Sequence, residues 1–99
     1  MWRVLAQAVA VTIHWPGALR GYSDGVTELV ADALDVRAAL EQLARIYPSL
    51  HRCFCDETGA VRRHINIWVN STHMREREGL ETALAEGDAI FLLPAVSGG

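Results

Sequence analysis

The stretch from Asp35 to Pro48 narrows the possible folds more than any other part of this chain. Val36, Leu40, Leu43 and Tyr47 recur at helical spacing, with Ala39 and Ala44 beside them. Arg37, Glu41 and Arg45 fall on the opposite side at i, i+4 steps, a solvated face. Asp35 stands where an N-cap carboxylate accepts from free backbone N–H groups, and Pro48 is expected to end the helix. A single helix with one apolar stripe is stable only when another element covers that stripe. The other long apolar patterns in the chain have a period of two, so the cover must be a sheet.

Gln7 to His14 alternates, with Val9, Val11 and Ile13 on one face. Pro16-Gly17 breaks it, and Leu19 to Gly25 reads as a loop. Val26 to Ala31 is a second strand, antiparallel to the first by proximity; its apolar residues occur on both faces, so its buried side stays open. After the helix, Ser49 to Phe54 forms a short further turn and Asp56 to Gly59 a loop. In the strand Val61 to Asn70, Ile65, Ile67 and Val69 alternate against His64, Asn66, Trp68 and Asn70. Asn70 to His73 reads as a turn, Met74 to Glu78 as a charged, exposed segment, and Gly79 to Leu84 as one helical turn. Gly87-Asp88 turns into a closing strand, Asp88 to Leu93, which Pro94 stops by removing a backbone donor. The order is β-β-α-β-(short turn)-β. The expected fold is therefore α+β, a β-grasp of about four strands in a mixed sheet, one long helix packed across it and a short helical turn before the last strand. The final strand should run parallel beside the first. Residues 1–94 form one domain and residues 95–99 a flexible tail.

Composition removes several function classes. Ninety-nine residues support one core, and 51% hydrophobic content with mixed charges summing to −3 describes a globular chain. There is no basic block or stripe, so nucleic acid is not an expected partner. All nine basic residues are arginine, so the chain cannot be linked through a lysine side chain of its own. The apolar run Leu5 to Ile13 follows Arg3, but it alternates and lacks a small-residue cleavage site, so it reads as a strand and not a signal peptide. No stretch is long enough to span a membrane, and the expected location is the cytoplasm. Cys53 and Cys55, one residue apart, cannot close a useful disulfide loop. His51-x-Cys53-x-Cys55 lacks the two-residue cysteine gap and second ligand pair of a zinc site. His64 and His73 have no carboxylate at a useful spacing and read as surface or turn residues.

The tail Ala95-Val96-Ser97-Gly98-Gly99 carries no charged side chain. Glycines at a chain end usually fray, but a backbone without Cβ atoms also threads a narrow channel that a branched one cannot. Taken alone, the idle end is the leading reading. Residues upstream of the tail reverse that order. Arg63-His64-Ile65-Asn66-Ile67-Trp68-Val69-Asn70, Arg75, and Gly79-Leu80-x-Thr82-x-Leu84-x-x-Gly87-Asp88 precede Leu93-Pro94-Ala95-Val96-Ser97-Gly98-Gly99. The whole set resembles the ubiquitin-like sulfur-carrier proteins, the superfamily of the molybdopterin-synthase small subunit and the thiamine sulfur carrier, and most of all the CysO-like branch. Ser97 stands where that branch typically has alanine, a small-for-small change. The resemblance is dense from Arg62 to Gly99 and looser before it.

The resemblance implies that the chain is a reagent and not an enzyme. A ubiquitin-activating-type enzyme, using ATP and Mg, would adenylate the Gly99 carboxylate beyond Gly98, and sulfur would displace AMP to leave a thiocarboxylate. The carrier would bind no cofactor or metal. Its sulfur would pass to a biosynthetic enzyme: a pyridoxal-phosphate synthase, a molybdopterin-synthase-type large subunit, or one making a specialised thio-metabolite. The residues add a docking surface. With Ile90 and Leu92 inward, Phe91 and Leu93 face outward, and Trp68 joins them. That patch leads through Pro94, Ala95, Val96 and Ser97 into the tail, unless loops from Leu19 or Met74 fold over it. Two rival readings are a modifier conjugated to lysines of other proteins, and an interaction domain whose tail is idle.

Overall fold

The computed structural model describes residues 7–95, so the tail positions Val96, Ser97, Gly98 and Gly99 lie outside the described residues. The strands are β1 (Val9–His14), β2 (Glu28–Ala33), β3 (Ile65–Val69), β4 (Thr72–His73) and β5 (Ala89–Pro94); the helices are α1 (Val36–Ile46) and α2 (Pro48–Phe54). They form one mixed sheet in the order β2-β1-β5-β3-β4. β1 pairs antiparallel with β2 from Val9↔Ala33 to His14↔Glu28, and β5 runs parallel to β1 with Ile13 opposite Ile90. β3 pairs antiparallel with β5 from Ile65↔Pro94 to Val69↔Ile90. This is the expected β-grasp layout, with the closing strand beside the first.

Helix α1 buries Val36, Ala39, Leu40 and Leu43, and the Asp35 carboxylate accepts from the Ala38 N–H at 2.8 Å. That face meets Val11, Ile13, Ala31, Ala33, Ile65, Ile67, Ile90 and Leu92 of the sheet. Tyr47 lies just beyond the helix, half-buried and edge-on to Trp15 at 6.1 Å.

Four local expectations need correction. The fifth strand, β4, lies in the segment read as a turn: Asn70 and Ser71 alone reverse the chain, so Thr72 and His73 can pair with β3. Asn70 takes φ +55°, which asparagine tolerates. Its side chain also donates to Asp88 Oδ1 and accepts from the Ala89 N–H, each at 3.0 Å, holding the start of β5. Second, Pro48 ends α1 but also opens α2, because a proline in the first turn forfeits no helical hydrogen bond. Leu50 and Phe54 of α2 are fully buried, so this segment is a core helix and not a short turn.

Third, β2 starts two residues later than expected and buries Ala31 and Ala33. The Val26 carbonyl is held by Trp15 Nε1 at 3.0 Å and Ser23 Oγ at 2.7 Å, so Val26 anchors the loop instead of joining the ladder. Fourth, Met74 is buried at 6% exposure while Arg75 to Glu78 stay outside. A 3-10 turn over Met74–Glu76, capped by His73, turns that one side chain inward. No helix among the described residues is long and apolar enough to cross a membrane.

Candidate functional site

The outer face of the sheet, opposite the helices, carries a row of residues in register across all five strands. Glu28 faces His14, His14 faces Phe91, Phe91 faces Trp68, and Trp68 faces His73. Alternation puts them there: their neighbours Ile13, Ile90, Leu92, Ile67 and Val69 fill the core. The rings touch. His14 stacks on Phe91 with centroids 5.0 Å apart and planes 15° from parallel, and His73 meets Trp68 edge-on at 5.2 Å.

Both nitrogens of His73 are used. Nδ1 accepts from the Arg75 N–H at 3.0 Å, which leaves Nε2 to carry the proton and donate to Asn66 Oδ1, also at 3.0 Å. The two imidazoles therefore bracket an aromatic pair, one on each side. Beside that row, Leu93 stands opposite Asn66 and is 41% exposed.

Trp68, Phe91 and Leu93 thus point outward together, but Trp68 and Phe91 are half-buried because the two histidines cover their flanks. Leu19 and Met74 pack on the core. His14 is the residue that sequence reasoning missed. Its parity in β1 was legible, yet its neighbour on β5 is set by a parallel crossover spanning most of the chain. His73, read as a turn residue, belongs to the row.

The tail leaves from β5, the middle strand of the sheet, beyond Phe91 and Leu93. Pro94 is the last residue of β5, exposed and opposite Ile65, and the Ala95 N–H donates to the His64 carbonyl at 2.6 Å. Since Ala95 bonds toward β3, the nitrogen of Pro94 points to the other side. There β1 pairs no further than His14↔Phe91, so a residue without an N–H leaves no ladder bond unmade. The side chains of His64 and Arg63 are exposed at this exit.

The thiols lie elsewhere, on and after α2. Cys53 and Cys55 are both free. Burial, with help from the Asp56 charge, pushes the Cys55 thiol up to about 11, and burial raises Cys53 as well. Both are therefore neutral near pH 7, poor nucleophiles and poor ligands. Burial and then Arg52 lower His51. Among the described residues no three His, Cys, Asp or Glu side chains are grouped to hold a metal ion.

A β-grasp sheet whose last strand runs out into a short uncharged tail defines the ubiquitin-like class of small proteins. Within it, the ThiS family matches residues 14–99, and the chain belongs to that family. It is similar to "Sulfur carrier protein CysO" of Mycobacterium tuberculosis, 34% identical over 91 residues that span 90% of this chain and 98% of the relative. Among solved structures it resembles small archaeal modifier protein 1 from Methanosarcina acetivorans, with a TM-score of 0.81, 32% identity, and coverage of 93% and 98%. It also resembles a chain in the Amycolatopsis orientalis BexX/CysO complex, with a TM-score of 0.81, 30% identity, and coverage of 91% and 100%.

Proposed function

We propose that this chain is a sulfur carrier that works through a thiocarboxylate at Gly99. The observation that carries the reading is the exit geometry: a strand pinned to the sheet as far as Ala95, then four uncharged residues ending in Gly98 and Gly99. The chemistry explains why such a tail is useful. A carboxylate is a poor electrophile at neutral pH. Transfer of AMP from ATP to the Gly99 carboxylate releases pyrophosphate and leaves an acyl-adenylate. A sulfide equivalent then attacks the acyl carbon, AMP leaves, and a thiocarboxylate remains. It is ionised near neutral pH and acts as a soft nucleophile, and its protein tether delivers it oriented.

In this reading the catalysts are the partners, an ATP- and Mg-using adenylating enzyme and a sulfur-accepting biosynthetic enzyme, and all three act in the cytoplasm. The docking surface is the row His14, Phe91, Trp68 and His73 with Leu93, continued by Pro94, Ala95, Val96 and Ser97. Large rings held rigid by their neighbours lose little entropy on binding and suit such a contact. A second reading, conjugation of Gly99 to lysines of other proteins, is favoured by the likeness to an archaeal modifier.

Intact mass separates the two. The full-length chain is incubated with ATP, a sulfur donor and an adenylating enzyme, with a Gly99 deletion alongside. Gain of the mass of one sulfur for oxygen exchange, in the full-length chain alone, is the expected result. A ladder of lysine-linked conjugates in lysate without that gain would support the modifier. No change in either assay would refute both.

A further inference from the structure

We propose that the free edge of β2 is a strand-addition site, latched by Gln42, for an extended partner segment with an apolar residue flanked two positions away on each side by basic ones. This goes beyond the tail chemistry and does not rest on it. β2 is the last strand on its side of the sheet. In an antiparallel pair, successive residues turn their N–H and C=O groups alternately toward and away from the partner. The Trp15 N–H donates to the Thr27 carbonyl, so the odd positions face β1 and Glu28, Val30 and Asp32 turn their backbone groups outward.

Asp32 is already occupied. Its N–H donates to Gln42 Oε1 at 3.3 Å and its carbonyl accepts from Gln42 Nε2, so one side-chain amide stands in for a residue of a neighbouring strand. Just beyond β2, the Leu34 carbonyl accepts from the Leu84 N–H at 3.0 Å. Among the described residues, the stretch that no strand meets is Glu28 to Val30.

Apolar surface borders that stretch on both sides. Val30 is 66% exposed on the outer face, and Ile46, one turn beyond Gln42 on the same side of α1, is 51% exposed. An added strand would lay one face beside Val30 and the other against Ile46 while pairing the open backbone groups. The charges choose the occupant. Glu28 and Asp32 flank Val30 on its own face, both exposed. A second copy paired antiparallel about Val30 would set Glu28 against Asp32 twice, like charge against like. A segment with Arg or Lys at those two places makes two opposite-charge pairs instead. Gln42 must release Asp32 for the added strand to extend past Val30.

The probe is the peptide acetyl-Thr-Arg-Thr-Val-Thr-Arg-Thr-amide, titrated into the full isotope-labelled chain and followed by NMR and hydrogen exchange. The expected result is perturbation of Glu28, Val30 and Ile46 with slowed exchange at the Val30 amide. Gln42→Ala should bind about three- to tenfold tighter, the worth of the competing hydrogen bonds. A peptide with Glu in place of Arg should leave the spectrum unchanged. The proposal is overturned if the Arg peptide leaves β2 unperturbed even in Gln42→Ala, or if the Glu peptide binds equally. Sedimentation showing that the free chain self-associates through β2 would overturn the choice of occupant.

Discussion

The Ala95 N–H donates to the His64 carbonyl at 2.6 Å, and this is the furthest point along β5 at which the described chain is tied to the sheet. Ile65 opposite Pro94 continues the same ladder inward. Ala95 itself and four further residues lie beyond that N–H, so the Gly99 carboxyl reaches no more than about 18 Å past the bond, at roughly 3.3–3.6 Å per residue. In the carrier reading, a partner's reacting centre lies within that distance of its docking rim.

Removing Val96 shortens the reach by about 3.5 Å while touching no hydrogen bond of the described fold. The expected outcome is an unchanged melting temperature with sulfur loading down by about a hundredfold or more, the usual scale for a misplaced reacting group. Thermal melts and intact mass over a loading time course check it. Normal loading would show that the partner reads the tail end without reading its length.

Trp68 sits half-buried between Phe91 across the strands and His73 at its edge. Its loss should cost about 1–2 kcal/mol of stability, since the fully buried core beneath is untouched. Partner affinity should fall further, by about 2 kcal/mol or more, if the ring is an anchor. Urea unfolding and calorimetric binding of Trp68→Ala to an adenylating enzyme give the two numbers. Equal affinity for variant and parent would remove the row from the docking surface.

Asp35 caps α1 by accepting from the Ala38 N–H at 2.8 Å. Asp35→Ala should destabilise the fold by about 1 kcal/mol, and Asp35→Asn by much less, because the amide oxygen can still accept. The urea midpoint should move while the slope of the transition stays constant.

Asp56 Oδ1 accepts from the Thr58 hydroxyl at 2.6 Å and from the Thr58 N–H at 2.8 Å. These bonds, the hydroxyl first, hold its carboxyl below the usual value. The folded chain therefore binds this proton less readily than the unfolded chain. The stabilisation is present above the unfolded value of about 3.9 and disappears as pH falls through the lower folded value. Urea midpoints of the parent and Asp56→Asn should differ at pH 6 and converge in strong acid. A constant difference would mean that the carboxylate charge plays no part.

Cys55 is fully buried and its thiol is pushed up to about 11, while Cys53 is half-buried. Iodoacetamide at pH 8 should leave Cys55 unmodified in the native chain and label it once urea unfolds the chain, with Cys53 the first site labelled in native conditions. Peptide mapping gives the order. Native labelling of Cys55 ahead of Cys53 would contradict the packing around α2.

The elements that were legible in the chain were those whose cause is local. The stripe Val36, Leu40, Leu43 recurs every turn, Asp35 precedes it, and Ile65, Ile67 and Val69 alternate, so helix, cap and strand each follow from neighbours a few residues apart. The tail reading is local too: Pro94, three small or apolar residues and two glycines carry it, and positions 96–99 lie outside the described residues. Even the outward direction of Trp68 and Phe91 follows from parity along one strand.

The contacts between those elements were not, because they depend on register between segments far apart. Whether Phe91 meets His14 depends on how β5 slides against β1, and one residue of slip would exchange every face. Val26 left the second strand because Trp15, back at the end of β1, joins the nearby Ser23 in claiming its carbonyl. Met74 turned inward, against the charge of its neighbours, because the 3-10 turn that follows β4 aims that one side chain at the core. Local periodicity chose the elements and the tail chemistry. Long-range pairing, won by burying one face of each strand, chose which side chains share the docking row and left the β2 edge to Gln42.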